Sequence, residues 1–169
     1  MVGGASMLTG TGVHALDLLQ FLLGQRIVEV SAITDGQTSE HPLEQKAVVA
    51  LRFDNGIVGT MSCGRYMPDT RNDATIYGSN GRIHLSDTVW EPLGGQLEVT
   101  SESVNMSESY EKDLLTLYRL QVESFNRSLV TGEEFHASGL DGLSIVQVTS
   151  AIIESAATGR AVRIEQLNP

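Results

Sequence analysis

His14 is the residue whose neighbours best suit it to move a proton. It follows a glycine-rich approach, Gly3-Gly4 and Thr9-Gly10-Thr11-Gly12, and it opens an amphipathic stretch. The start of a helix is the positive end of its dipole. A neutral imidazole accepts or donates one proton near neutral pH, which suits relay to a substrate hydroxyl. An isolated histidine more often caps or packs, so its type alone defines no site. Asp17 lies three residues on, at a spacing that puts it on the same helix face. It either orients His14 or faces solvent.

The other reactive residue types form weaker patterns. Gly10-x-Gly12 lacks the third glycine of a dinucleotide fingerprint and follows no strand. Arg65 and Arg71 flank Pro68-Asp69 after a strand-like run, and can hold an anionic or polyhydroxylated ligand. Exposed arginines are more often simply solvated. His41, His84 and His136 are scattered and show no metal-ligand spacing, so no metal site is expected. Ser6, Ser62 and Cys63 carry no G-x-S-x-G or Cys/His nucleophile signature.

The elements that must position these groups follow from periodicity. Val13, Leu16, Leu19, Leu22 and Leu23 recur at helical spacing, and Gly24 ends the run. Ile27 to Thr34 is apolar and β-branched and predicts a strand, followed by a polar loop from Asp35 to Gln45. Lys46 to Phe53 and Ile57 to Cys63 predict a hairpin around Asp54-Asn55-Gly56. A second hairpin runs from Asp73 to Tyr77 and from Arg82 to Leu85 around Ser79-Asn80-Gly81. A third is expected from Val89 to Pro92 and from Gln96 to Thr100 around Gly94-Gly95.

The period then changes. Leu114, Tyr118, Gln121, Val122, Phe125 and Leu129 predict a helix ending at Thr131-Gly132. Ser138 and Asp141 resemble a capping box for a last helix, which runs to about Ala157 and closes at Gly159. Val162 to Glu165 predicts a short final strand. Grouped strands indicate an α+β fold, a predominantly antiparallel open sheet with helices packed on one face. Met61, Tyr66, Ile76, Tyr77 and Ile83 fall on both parities of their strands. A sheet apolar on both faces needs a second cover, which predicts a homo-oligomer through the open face.

Composition excludes several classes. The chain's 169 residues suit one domain. There are 21 acidic against 11 basic residues, a net charge of −10, which argues against a nucleic-acid partner. No apolar run reaches membrane-span length, and no basic leader precedes Ala15 to Leu23, so neither a span nor a signal peptide is expected. The single cysteine, Cys63, makes no internal disulfide, which fits the cytoplasm.

The stretch from Gly3 to Gly24 resembles the signature of the glucose–fructose oxidoreductase / inositol dehydrogenase / rhizopine catabolism (Gfo/Idh/MocA) family. In that signature a glycine-rich turn leads to Asp-x-Gly-x-His-x-x-Asp and a helix ending in Leu-Gly. Phe53 to Thr60, Tyr77 to Ile83 and Ala137 to Val162 are similar to later parts of the same domain. The resemblance implies a dihydrodipicolinate-reductase-like C-terminal domain over 1–169, with the N-terminal Rossmann domain absent from this chain. It implies NAD or NADP as cofactor of the full-length protein, with none expected for this chain alone, and a sugar or polyol substrate. His14 falls on the family's active-site histidine, Thr11 on a substrate-touching position and Asp17 on the helix aspartate. Arg65 joins them as a substrate-binding candidate. Gly10 stands where the family carries an acid, and no Glu-Lys-Pro motif is present. The chain is therefore expected to be the substrate-binding and oligomerisation domain of an oxidoreductase acting on CH–OH groups, inactive alone. The alternative is a stand-alone, non-catalytic module for sheet-mediated assembly or sugar binding.

Overall fold

The computed structural model describes residues 6–35, 43–65, 71–89, 94–111, 113–133, 135 and 137–165. The chain divides into two compact units, Met1–Met67 with Gly139–Pro169, and Pro68–Ser138.

In the first unit a π-helical turn, Leu8–Gly12, runs directly into α1, Val13–Leu23. Then come β1 (Ile27–Thr34), β2 (Lys46–Phe53) and β3 (Val58–Gly64). The unit's later segment adds a long helix, Gly139–Thr158, and a short strand, Val162–Arg163. The short strand pairs with β1, giving an antiparallel four-stranded sheet in the order β3, β2, β1, short strand. The predicted bounds of β1 and β2 match the observed ones, and α1 ends at Gly24 as expected. β2 reads Lys-Ala-Val-Val-Ala-Leu-Arg-Phe, and its alternate residues Ala47, Val49, Leu51 and Phe53 are buried while the others are exposed. That period of two places one face of the sheet against α1 and the long helix. The core joins Leu8, Leu16, Val49, Phe53, Val148 and Ile152.

Polar side chains fasten these layers from inside. The Oε1 of buried Gln20 accepts the Ile27 N–H at 3.0 Å and the Ser144 hydroxyl at 3.1 Å, joining α1, β1 and the long helix. Ser155, fully buried, accepts the Ala32 N–H at 2.9 Å and donates to the Arg160 carbonyl at 2.6 Å. The short strand covers only two residues, so a helix side chain completes the edge of β1 beyond it. Arg26 donates to Asp141 at 2.7 Å in the long helix's first turn.

The sheet's outer face is exposed. One row across it is Arg163–Glu29–Arg52, with contacts of 3.2 and 3.4 Å. Hydrogen bonds from Arg163, then from Arg52, hold the Glu29 carboxyl below its ordinary range. At the far end of β1 and β2, Ile33 (77% exposed) sits opposite Val48 (57%).

The second unit holds β4 (Ala74–Gly78), β5 (Gly81–Ser86), β6 (Gly95–Ser101) and β7 (Asn105–Tyr110), paired antiparallel in that order, and α2 (Leu114–Thr131). The long helix of the first unit is α3 and its short strand β8. Asp113 caps α2, its carboxylate accepting the Thr116 N–H at 3.0 Å, and Gly132 ends the helix in a left-handed conformation.

The expected third hairpin is corrected. β6 returns to β7, while Val89 lies outside any strand and Trp90 to Pro92 lie outside the described residues. Gly95 is not a turn residue but the close approach where β6 begins. Its φ is +111°, and a Cβ there would stand 2.1 Å from the Ser86 carbonyl oxygen. The apolar side chains of the second unit's strands fall on both parities, as expected. The pairings Ile76–Ile83, Ile83–Val99 and Val99–Met106 put these residues on one face, and Tyr77 (79% exposed) on the other. Met61 is buried in the first unit, and Tyr66 lies outside the described residues. None of the described residues from 71 to 138 is fully buried. No described helix is long and apolar enough to cross a membrane.

Two outcomes test this account. Phe53→Ala should lower unfolding free energy by about 3–5 kcal/mol in a urea titration, the usual cost of emptying a packed aromatic site. A change below about 1 kcal/mol would place Phe53 outside the core. Glu29 has its pKa lowered in the folded state, so its stabilisation is fully present above about pH 4.3, the unfolded value. It is lost as pH falls through the lowered folded value. The urea-midpoint gap between wild type and Glu29→Gln should therefore be open at pH 7 and narrow steadily in acid. A gap independent of pH contradicts the ion row.

Candidate substrate-side site

The site candidates gather where the helix entry meets the end of β3. Thr11 lies in the π-helical turn and is half-buried, and its hydroxyl stands 4.0 Å from the Met7 sulfur. Arg65 follows β3 directly, and its Nε points at the same sulfur at 3.4 Å. Met7 is buried. Thr11 and Arg65 are 54 positions apart in sequence, yet both contact this one thioether. His14 stands three residues after Thr11 and Asp17 three after His14, both exposed. Thr11 and Arg65 thus share a contact with Met7, His14 lies one turn further along, and Asp17 lies furthest out. Tyr66 to Thr70 lie outside the described residues.

The helix seats closely on the sheet at Gly12. A Cβ there would stand 3.2 Å from Leu8 Cδ1 and 3.3 Å from the Cys63 sulfur. Gly12 serves this close contact. Burial pushes the Cys63 thiol pKa up, and the nearby Glu44 charge adds to the effect. A thiol held protonated in this way is a poor nucleophile.

One expectation changes its physical basis. Helical structure begins near Met7, so His14 lies well inside the helix and not at its start. The dipole's positive end falls off within the first turn, and here it lies at residues 7–9. A carboxylate that sequence reading passed over sits there: the buried Glu44, which accepts the Ser6 hydroxyl and, at 3.1 Å, the Leu8 N–H. Met7 was also missed. A methionine in a glycine-rich stretch and a glutamate in a polar loop carry no local signal of burial.

His84, on β5, faces Thr75 with Nδ1 and Oγ1 2.8 Å apart. His41 and His136 lie outside the described residues. Every strand pairing among the described residues is antiparallel, and Gly10 and Gly12 lie within a helical turn. A dinucleotide site needs a parallel βαβ unit with its glycines between strand and helix. No such unit is present among the described residues.

Residues 2–164 match the model of the Gfo/Idh/MocA oxidoreductase family, C-terminal alpha/beta domain. The chain is 28% identical over 166 residues to myo-inositol 2-dehydrogenase of Thermotoga maritima, covering 92% of this chain and 48% of that protein. Among solved structures it resembles the aldose-aldose oxidoreductase from Caulobacter crescentus complexed with glycerol. That match has a TM-score of 0.83 at 20% identity and covers 96% of this chain and 49% of the other. It also resembles an oxidoreductase from Agrobacterium radiobacter in complex with NAD+, L-tartaric acid and magnesium, with a TM-score of 0.80, 25% identity, and coverage of 95% and 50%. The chain spans about half the length of the curated relatives it matches. With its antiparallel sheets, its helix entry and this match over nearly its whole length, the chain belongs to the Gfo/Idh/MocA oxidoreductase family as the C-terminal alpha/beta domain.

Proposed function

We propose that this chain is the substrate-binding and oligomerisation domain of an NAD(P)-dependent sugar or polyol oxidoreductase, and that it is inactive without a nicotinamide-binding domain. The observation that carries this reading is the meeting of Thr11 and Arg65 over Met7, one helical turn from His14. A hydroxyl and a guanidinium that both reach one thioether offer donors and an acceptor to the hydroxyls of a polyol. His14 takes or returns the proton of the reacting hydroxyl, and Asp17 contributes at the outer edge. A relative that acts on myo-inositol supports the polyol class. The lone Cys63 supports a cytoplasmic setting. The exposed outer faces of the sheets support homo-oligomerisation, with both compact units serving one substrate-side domain.

A second reading, favoured by Gly10 in the acid's position, is a non-catalytic module that assembles through its sheets or binds sugar. The two separate by experiment on the product of the complete reading frame. The catalytic reading predicts that it reduces NAD+ or NADP+ with a polyol or aldose, and that His14→Ala lowers kcat by about 10²- to 10⁴-fold. The present chain alone should leave NADH fluorescence unchanged. No nicotinamide reduction with any polyol or aldose, or full activity in His14→Ala, would remove the catalytic reading.

A further inference from the structure

Among the described residues Glu44 is the single buried acid or base. We propose that Glu44 is the positioning residue of this site, fixing the helix entry so that Thr11 and His14 share a ligand with Arg65. The proposal rests on the substrate-binding reading above.

The hydrogen bonds converge on it from three neighbours. The Glu44 carboxylate accepts from the Ser6 hydroxyl and the Leu8 N–H, and its backbone carbonyl accepts the Met7 N–H at 3.3 Å. Ser6 extends the clasp, its Oγ accepting the Thr9 N–H at 3.2 Å and its carbonyl the Gly10 N–H at 2.9 Å. The N–H groups that a helix start leaves unpaired are thus satisfied by Glu44 directly or through Ser6. The negative carboxylate also lies at the dipole's positive end. The adjoining carbonyl, that of Gln45, accepts the Arg65 N–H at 2.9 Å. Two consecutive residues therefore hold both sides of the site, the turn bearing Thr11 and the strand end bearing Arg65.

The local sequence needs such a tie. A π-helical turn is rare and tends to occur at functional sites, and this one contains two glycines, which lose more conformational entropy on ordering than other residues. Removing the carboxylate leaves the turn without its anchor and lets Thr11 drift from the Met7–Arg65 contact.

Glu44→Ala, Glu44→Gln and Ser6→Ala variants of this chain test the idea. Amide hydrogen exchange at Leu8 and Thr9 is followed by NMR, and myo-inositol affinity by calorimetry. In Glu44→Ala, exchange at Leu8 and Thr9 should quicken by about tenfold or more, as expected for a buried N–H that loses its acceptor. Val49 and Val148 should stay protected, and myo-inositol affinity should weaken by a similar factor. Glu44→Gln keeps an oxygen that accepts the same two hydrogen bonds, so it should stay within about threefold of wild type on both readouts. Unchanged exchange in Glu44→Ala overturns the proposal. So does a Glu44→Gln variant as impaired as Glu44→Ala, because charge and not position would then be the requirement. If Glu44→Ala loses protection at Val49 and so fails to fold, Ser6→Ala decides: faster Thr9 exchange supports the clasp and unchanged exchange overturns it. If wild type gives no heat with myo-inositol, the polyol reading fails for this chain, while the exchange comparison still decides the role of Glu44.

Discussion

The packing of the helix entry onto the end of β3 is the constraint on which the site depends. Gly12 lets the helix backbone sit against Cys63 and Leu8 at distances that a Cβ would crowd. That close seat brings Met7 beneath both Thr11 and Arg65. The sheet contributes through register: Ala47 pairs with Cys63 and Val49 with Met61, so the inner face of β2 sets the depth at which β3 meets the helix. Gln20 and Ser155 then hold α1, β1 and α3 in one packed unit. The candidate groups themselves lie at the margin of this core, which leaves His14 accessible while its helix stays anchored.

Much of this was legible in the sequence where a period and a stop signal coincided. β2 alternates apolar and exposed residues from Lys46 to Phe53, and β1 is rich in β-branched residues, so their limits could be read directly. α1 and α2 each carry a 3.6-residue apolar period and end at a glycine, Gly24 and Gly132. β7 was not legible. Asn-Met-Ser-Glu-Ser-Tyr has no apolar alternation, because only Met106 and Tyr110 contribute apolar or aromatic surface, and pairing with β6 alone defines it as a strand. Gly94-Gly95 looked like a turn for a related reason. Glycine marks both turns and close backbone approaches, and the sequence does not separate the two.

The site divides along the same line. His14 and Asp17 were proposed from their three-residue spacing on one helix face, and Thr11 from the resemblance of the Gly3 to Gly24 stretch. That Arg65 reaches the same Met7 sulfur as Thr11 depends on the packing of β3 against the helix entry, which only the fold supplies. The helix was expected to begin at His14, because Thr9-Gly10-Thr11-Gly12 has the composition of a loop. It begins near Met7 because Glu44, from a distant segment, accepts the Met7 and Leu8 N–H groups through its carbonyl and its buried carboxylate. Tertiary hydrogen bonding overrode local propensity there, as it does wherever a glycine-rich helical turn persists. The second unit shows the complementary situation. Its strands were mostly readable, yet none of its described residues is fully buried, so its apolar face gains little from the unit's own packing.

The central claim is that a polyol binds against Thr11, His14 and Arg65. The most direct measurement is the NMR shift of the histidine ring protons as myo-inositol is added to this chain. The account predicts a saturable shift at His14 that moves together with the Thr11 methyl, while His84, hydrogen-bonded to Thr75 on β5, stays still. A saturable shift at His84 with His14 unmoved would contradict it.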